Sequence, residues 1–211
     1  MTGTGDPAVQ LREHLVDAVA RLLADRSASG ITTRDIASAA GVSGGVLYNY
    51  FADKNELLTA ALVRHFESVV AQSHGDLPVA GTRTVAENLL SYGEAIYHLS
   101  QDAIPMIAGL VTEPVLLHRV MAEIHRPGQG ILPFLDRIGE YLAAEQGLGR
   151  IADVDLPATM ALLTGACATL TMRVHLGLES ADPGQDDEAR EQIQRMIQVL
   201  IGGIAIRPDP A

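Results

Sequence analysis

Between Ala37 and Ala52 the chain carries no acidic side chain, although the molecule as a whole is strongly acidic. Inside that window stand Ser43, Gly44, Gly45, Val46, Tyr48, Asn49 and Tyr50; Thr33 and Arg34 precede it and Lys54 follows it. Hydroxyls, a carboxamide and two cations are groups that donate to phosphate oxygens and base edges. A helix opening near Ser43 adds free backbone N–H groups of the same polarity. The adjacent glycines cost that helix roughly 2 kcal/mol of intrinsic propensity, a cost that makes sense where backbone must lie close against a partner. Lys54 opens the next helix, where it opposes the helix dipole, and that misplacement favours an anionic partner. Asn49 has the donor–acceptor pair that matches adenine.

A second set of residues could hold a small molecule. His118, Met121 and His125 share one helical face, and His98, Met106, Met160, Thr164, Cys167 and His175 are scattered through apolar helices. Such groups line cavities or are satisfied within a core, and the sequence leaves both open. No third ligand accompanies His118 and His125, so no metal is expected. Cys167 is the single cysteine, which excludes a disulfide framework and a cysteine-based zinc site. A catalytic alternative would rest on His118, His125, Glu113 and Glu123, without a nucleophile motif or phosphate loop to support it. The expectation is a protein that is not an enzyme and needs no cofactor.

The elements that must position these groups read as helices almost throughout. Asp6-Pro7 is a helix start, and Leu11, Leu15, Val19, Leu22 and Leu23 follow on one face. Thr32 caps a short helix over 33–40, with Asp35 completing the box, and Gly41 suits a left-handed turn. A second short helix over about 44–50 places Leu47 and Phe51 inward. Asp53 caps a longer helix over 53–74, and Gly75 to Gly81 reads as a linker. Further helices are expected near 82–101, 103–112, 114–125, 130–146, 156–178 and 187–205, punctuated by Pro105, Pro114, Pro127-Gly128 and Asp182-Pro183-Gly184. The fold class is all-α with about nine helices: short ones with tight breaks over residues 1–55, long ones packed as a bundle over 56–211.

The segment Thr32-Thr33-Arg34-Asp35-Ile36-Ala37, then Ala40-Gly41-Val42-Ser43, then Gly45-Val46-Leu47-Tyr48-Asn49-Tyr50-Phe51, then Lys54-Asn55-Glu56-Leu57-Leu58 resembles the helix-turn-helix of the TetR family of transcriptional regulators. The resemblance implies a DNA-binding domain in residues 1–55 and an effector-binding, dimerising domain in 56–211. It implies that Thr33 meets phosphate and that Arg34 reaches phosphate or guanine. It puts Ser43 and Gly44 at the start of the recognition helix and Val46 in reach of a thymine methyl. Tyr48, Tyr50 and Lys54 match the family's phosphate contacts. Gly44 and Asn49 depart from the residues common there, which leaves direct base readout thin and gives DNA shape a larger share. The family also encloses a small-molecule effector, for which the nine residues from His98 to His175 are the candidates.

Composition sets limits on this reading. The 211 residues carry a net charge of −11, and residues 1–56 hold five basic against seven acidic side chains. DNA binding must therefore come from local geometry, with few counterions released per monomer. Lys54 is the only lysine. The charge-free run Leu156–Met172 contains Pro157 and Gly165 and is too short and polar for a membrane span. A reducing cytoplasm is the expected compartment. Small residues Ala161, Gly165, Ala168 and Thr169, with Ile193, Met196, Ile197, Leu200 and Ile204, suggest a homodimer seam on the last two helices, where packing within one chain is the alternative. A dimer would present two recognition helices to a pseudo-palindromic operator duplex. The rival readings are a helical small-molecule-binding protein or a small helical enzyme without DNA-binding activity.

Overall fold

A computed structural model describes residues 6–73, 77–127, 130–178 and 185–204. Among these, α-helices follow one another in the order α1 Pro7–Asp25, α2 Thr33–Ala40, α3 Gly44–Leu47, α4 Lys54–Ser73, α5 Val85–Leu110, α6 Pro114–Ile124, α7 Leu132–Gly147, α8 Leu156–His175 and α9 Gln185–Ile204, with a 3-10 turn at Ala28–Gly30. The all-α class and the helix number match the sequence reading. No described helix is long and apolar enough to cross a membrane. Of the expected linker only residues from 77 onward are described, and Asp182-Pro183-Gly184 and the tail after Ile204 lie outside the described residues.

Local chemistry explains most helix starts. The Asp6 carboxylate accepts from the Ala8 amide at 3.0 Å, with Pro7 at the first position. Asp155 does the same for Ala158 at 2.9 Å. Thr84 and Glu87 form a reciprocal cap: the Thr84 amide donates to Glu87 at 2.8 Å and the Glu87 amide to Thr84 Oγ1 at 3.2 Å. That box starts α5 at Val85, three residues later than the periodicity suggested. Pro133 lies in the first turn of α7, where its missing N–H costs nothing.

Two expectations about helices are corrected. The separate helices 82–101 and 103–112 are one helix, α5, which runs through Pro105. Burial of Leu99 on one side of the proline and Leu110 on the other outweighs the lost backbone hydrogen bond. The second helix of the turn is shorter than 44–50. It ends as α-helix at Leu47 and continues as tighter turns, with the Asn49 amide donating to Val46 O and the Tyr50 amide to Leu47 O.

By packing, the chain forms two compact units: Met1–Ser68 with Met106–Gly130, and Val69–Pro105 with Ile131–Ala211. This differs from a linear cut after residue 55, because α6 groups with the amino-terminal helices. In the first unit Leu15, Val16 and Val19 of α1, Ile31, Ile36 and Ala40, and Leu57, Leu58 and Leu62 of α4 are buried. In the second unit α5, α8 and α9 meet at Gly93. A Cβ there would lie 2.6 Å from Ile193 Cγ2 and 3.7 Å from Cys167 Sγ, so the crossing requires glycine. The loop entering α5 is held by side chains. Tyr92 donates its hydroxyl to Pro78 O at 3.1 Å, and Asn88 donates to Thr82 O at 2.7 Å. The fully buried Glu145 accepts from the Gly81 amide at 3.3 Å and pairs with Arg150 at 3.3 Å.

Candidate nucleic-acid interface

The helix-turn-helix is assembled by caps at both ends of α2. Thr32 Oγ1 accepts from the Asp35 amide at 3.2 Å, while the Asp35 carboxylate accepts from the Thr32 amide at 2.9 Å and its hydroxyl at 2.6 Å. Those Thr32 hydrogen bonds, with a smaller contribution from Arg26, hold the Asp35 carboxyl below its ordinary range. At the other end Gly41 adopts φ 67, and the Val42 amide returns to Ala37 O at 3.0 Å, which closes the turn.

The last carbonyls of α2 are met from α1, a feature that the sequence pattern does not reveal. A His14 ring nitrogen lies 2.9 Å from Ala40 O, and Arg21 donates to Ala39 O at 3.5 Å. Arg12 lies over the Phe51 ring, 4.8 Å from its centroid. Arg64 of α4 donates to Glu13 and, at 2.6 Å, to Asp17. The signals were polar side chains of α1 and α4 whose partners lie on other elements, which a one-dimensional reading cannot pair.

Leu47 and Phe51 are each only 3% exposed and fix the second helix to this scaffold. The residues between and before them face outward: Tyr48 is 60% exposed, and Ser43, Gly44, Gly45 and Asn49 are also exposed. Val46, Tyr50 and Thr33 are half-buried, and Arg34 is exposed. The Ser43 hydroxyl makes no cap to its own helix. A Cβ added at Gly44 or Gly45 would meet nothing within 4 Å, and neither residue has positive φ. Nothing among the described residues requires glycine at either place.

Lys54 sits at the opening of α4, with its ammonium donating to Ile31 O at 2.9 Å. One of its three donors is thereby anchored, and two remain for another acceptor. Asp53 caps the helix by accepting from the Glu56 amide at 2.7 Å, and Glu56 accepts from the Ala52 amide at 2.6 Å. Arg119 of α6 makes a two-pronged contact with the same Asp53 carboxylate, at 2.9 Å and 3.1 Å. Arg119 was not among the residues singled out from sequence, since 66 positions separate the pair.

The residues expected to line an effector cavity are spread over both units. In the first, His118 and His125 are exposed and Met106 and Met121 are half-buried; His125 Nδ1 lies 2.9 Å from Met121 O. Glu123 of the catalytic alternative is taken up by Arg126 at 2.5 Å. In the second, His98 and His175 are exposed, the latter 2.9 Å from Thr171 O of its own helix. Met160 is half-buried against Gly139, and Thr164 donates to Met160 O at 2.8 Å. Cys167 is fully buried, which pushes its thiol up to about 12. Among the described residues no group of three His, Cys, Asp or Glu could hold a metal.

An apolar groove of about 550 Å³ runs between α8 and α9, and of the nine candidates it touches only Cys167. Its rim carries Leu162 and Val199, which are 65% and 79% exposed. Ile193 and Ile197, expected on the seam, line this groove and are also buried beside Gly93. The apolar face of α9 is wide enough to serve both the core and the groove, so periodicity alone did not separate the two.

Comparison with known proteins agrees with this geometry. Residues 15–61 match the family model described as bacterial regulatory proteins, tetR family. The HTH-type transcriptional regulator AlkX of Mycobacterium tuberculosis is 26% identical over 190 residues, which is 89% of this chain and 83% of that one. A Mesorhizobium loti protein described as a TetR-family transcriptional regulator has the same fold, with a TM-score of 0.71 at 14% identity over 95% of this chain and 100% of its own. The flavonoid-responsive regulator FrrA gives 0.68 at 19% identity, over 95% and 100%. With residues 15–61 matched to that family model, the chain carries a tetR-family DNA-binding helix-turn-helix on a helical fold that it shares along its length with TetR-family regulators.

Proposed function

We propose that the protein is a repressor that binds a pseudo-palindromic operator as a homodimer and releases it when a small molecule binds. The observation that carries the DNA reading is the outward face of the turn. Tyr48 and Asn49 project from a rod whose other side, Leu47 and Phe51, is locked into the core. Ser43, Gly44, Val46 and Asn49 meet base edges, and Thr33, Arg34, Tyr48, Tyr50 and Lys54 meet phosphates. Residues 1–55 supply these contacts, and the remainder supplies the dimer and the effector site.

Self-association is supported by the groove between α8 and α9. Leu162 and Val199 there expose large apolar side chains that a second copy would cover. For the effector, Met160, Thr164 and Cys167 of the second unit have side chains at least partly buried and are the better lining; the exposed histidines His98, His118, His125 and His175 make weaker lining. FrrA responds to flavonoids, which supports an apolar, aromatic effector class here. A ligand that prefers the head spacing unable to span successive major grooves lowers the DNA-competent population. Such a regulator works in the cytoplasm, beside the chromosome.

The test is selection of duplexes from a random library, followed by footprinting, with sedimentation of the same sample. A recovered inverted repeat bound by a dimer is the expected result. Val199→Glu is expected to give monomers that bind half-sites only weakly. Absence of any sequence-preferring binding at low salt would overturn the reading.

A further inference from the structure

The opening of α4 presents an electrostatic conflict. Asp53 holds the helix start by accepting the Glu56 amide at 2.7 Å, and so fixes Lys54 beside Ile31 O. The same carboxylate stands one residue from the ammonium that should meet a phosphate. Glu56 adds a second carboxylate within the same turn, engaged with the Ala52 amide. Protonation does not remove the conflict: hydrogen bonds from Arg119 and then from the Glu56 amide hold Asp53 below its ordinary range, so it stays ionised at neutral pH. Residues 1–56 have no surplus cation to offset it, being two charges net negative.

We infer that Arg119, on α6 and outside the helix-turn-helix, is a positioning and charge-neutralising residue for DNA binding. Its guanidinium takes both oxygens of Asp53, Nη1 at 2.9 Å and 3.1 Å and Nη2 at 3.1 Å. The contact cancels the charge beside Lys54 without displacing the cap, because the cap bond uses the Glu56 amide. A planar fork serves two oxygens at once, which a lysine at 119 could not do. Arg119 thus supplies to the amino-terminal helices a positive charge that their own sequence lacks. The inference rests on Lys54 being a phosphate ligand, and the experiment separates the two.

Operator binding is measured by fluorescence anisotropy at two salt concentrations for the wild type and for Lys54→Ala, Arg119→Gln, Asp53→Asn and the double variant Asp53→Asn/Arg119→Gln. Asparagine caps helices as well as aspartate, so the fold is kept, and a thermal melt of each protein confirms this. One uncompensated charge about 8 Å from a phosphate weakens binding roughly two- to sixfold per head at low salt, and less as salt screens it. Arg119→Gln is expected to show that loss, Asp53→Asn to bind more tightly than wild type, and the double variant to return to wild-type affinity. Arg119→Gln binding as wild type, or the double variant binding as poorly as Arg119→Gln, overturns the inference while leaving the DNA reading intact. Unchanged affinity in Lys54→Ala removes the phosphate contact itself and the inference with it.

Discussion

Gly45→Ala separates what a residue does for the fold from what it does for the partner. In the free protein the added methyl meets nothing within 4 Å, and the backbone is not left-handed there. Alanine narrows the unfolded ensemble and favours helix, so the substitution should stabilise the chain by roughly 0.5–1 kcal/mol. At this chain length that is a rise of about 1–4 °C in Tm. In the proposed DNA complex the same methyl would stand between the recognition helix and the floor of the groove. Forcing an extra methyl into a close-packed contact costs about 1–3 kcal/mol, or roughly five- to 150-fold in affinity per head. The assay pairs a circular-dichroism melt with anisotropy on the selected operator, and Gly44→Ala serves as a second position. Stability should rise while affinity falls. Gly45→Ala binding as tightly as wild type would mean that the backbone does not approach the bases, and the paired glycines would then have no role at the interface.

Other outcomes follow from the same structure. Tyr48→Ala with Lys54→Ala should weaken binding to all duplex sequences alike and flatten the salt dependence by about one unit for each phosphate no longer bound; a change in sequence preference would contradict the phosphate assignment. Gly93→Ala places a Cβ 2.6 Å from Ile193 Cγ2 and should cost about 1–3 kcal/mol, read as a lowered denaturant midpoint. Asp35, Asp53 and Glu87 all have carboxyls held below their ordinary range, the first by Thr32, the second by Arg119 and the third by Thr84. Their folded forms bind protons less readily than the unfolded chain, so this stabilisation is complete above the unfolded values of 3.8 and 4.5 and is lost as pH falls below them. Denaturant midpoints should hold from neutral pH to about 5 and then decline, and Asp53→Asn should shrink the decline.

What could be read from sequence was local. The Thr32–Asp35 box, the Gly41 turn and the inward pair Leu47 and Phe51 are set by neighbours within a few residues, and each sits where the pattern placed it. Features set by distant partners were not legible. Pro105 has every local mark of a break, yet buried residues on both sides keep α5 continuous. Ile193 and Ile197 have the same spacing as the outer residues of α9, and only the gap left by Gly93 shows that they reach the core as well as the groove. The Asp53–Arg119 contact joins residues in different helices with no shared motif. The four histidines at 98, 118, 125 and 175 attracted notice by type, but helix geometry leaves them on the surface.

The grouping of α6 with the first four helices bears on how the molecule is made. A nascent chain that has emerged as far as α4 holds the whole recognition motif, but it lacks Arg119 and the rest of Met106–Gly130. The Asp53–Arg119 contact must wait until the ribosome has delivered α5 and α6, a lag of seconds at ordinary translation speed. An excised fragment ending near residue 60 would keep the motif but lack that contact for good. Transplanting this head onto another scaffold therefore means carrying two separate stretches of polypeptide.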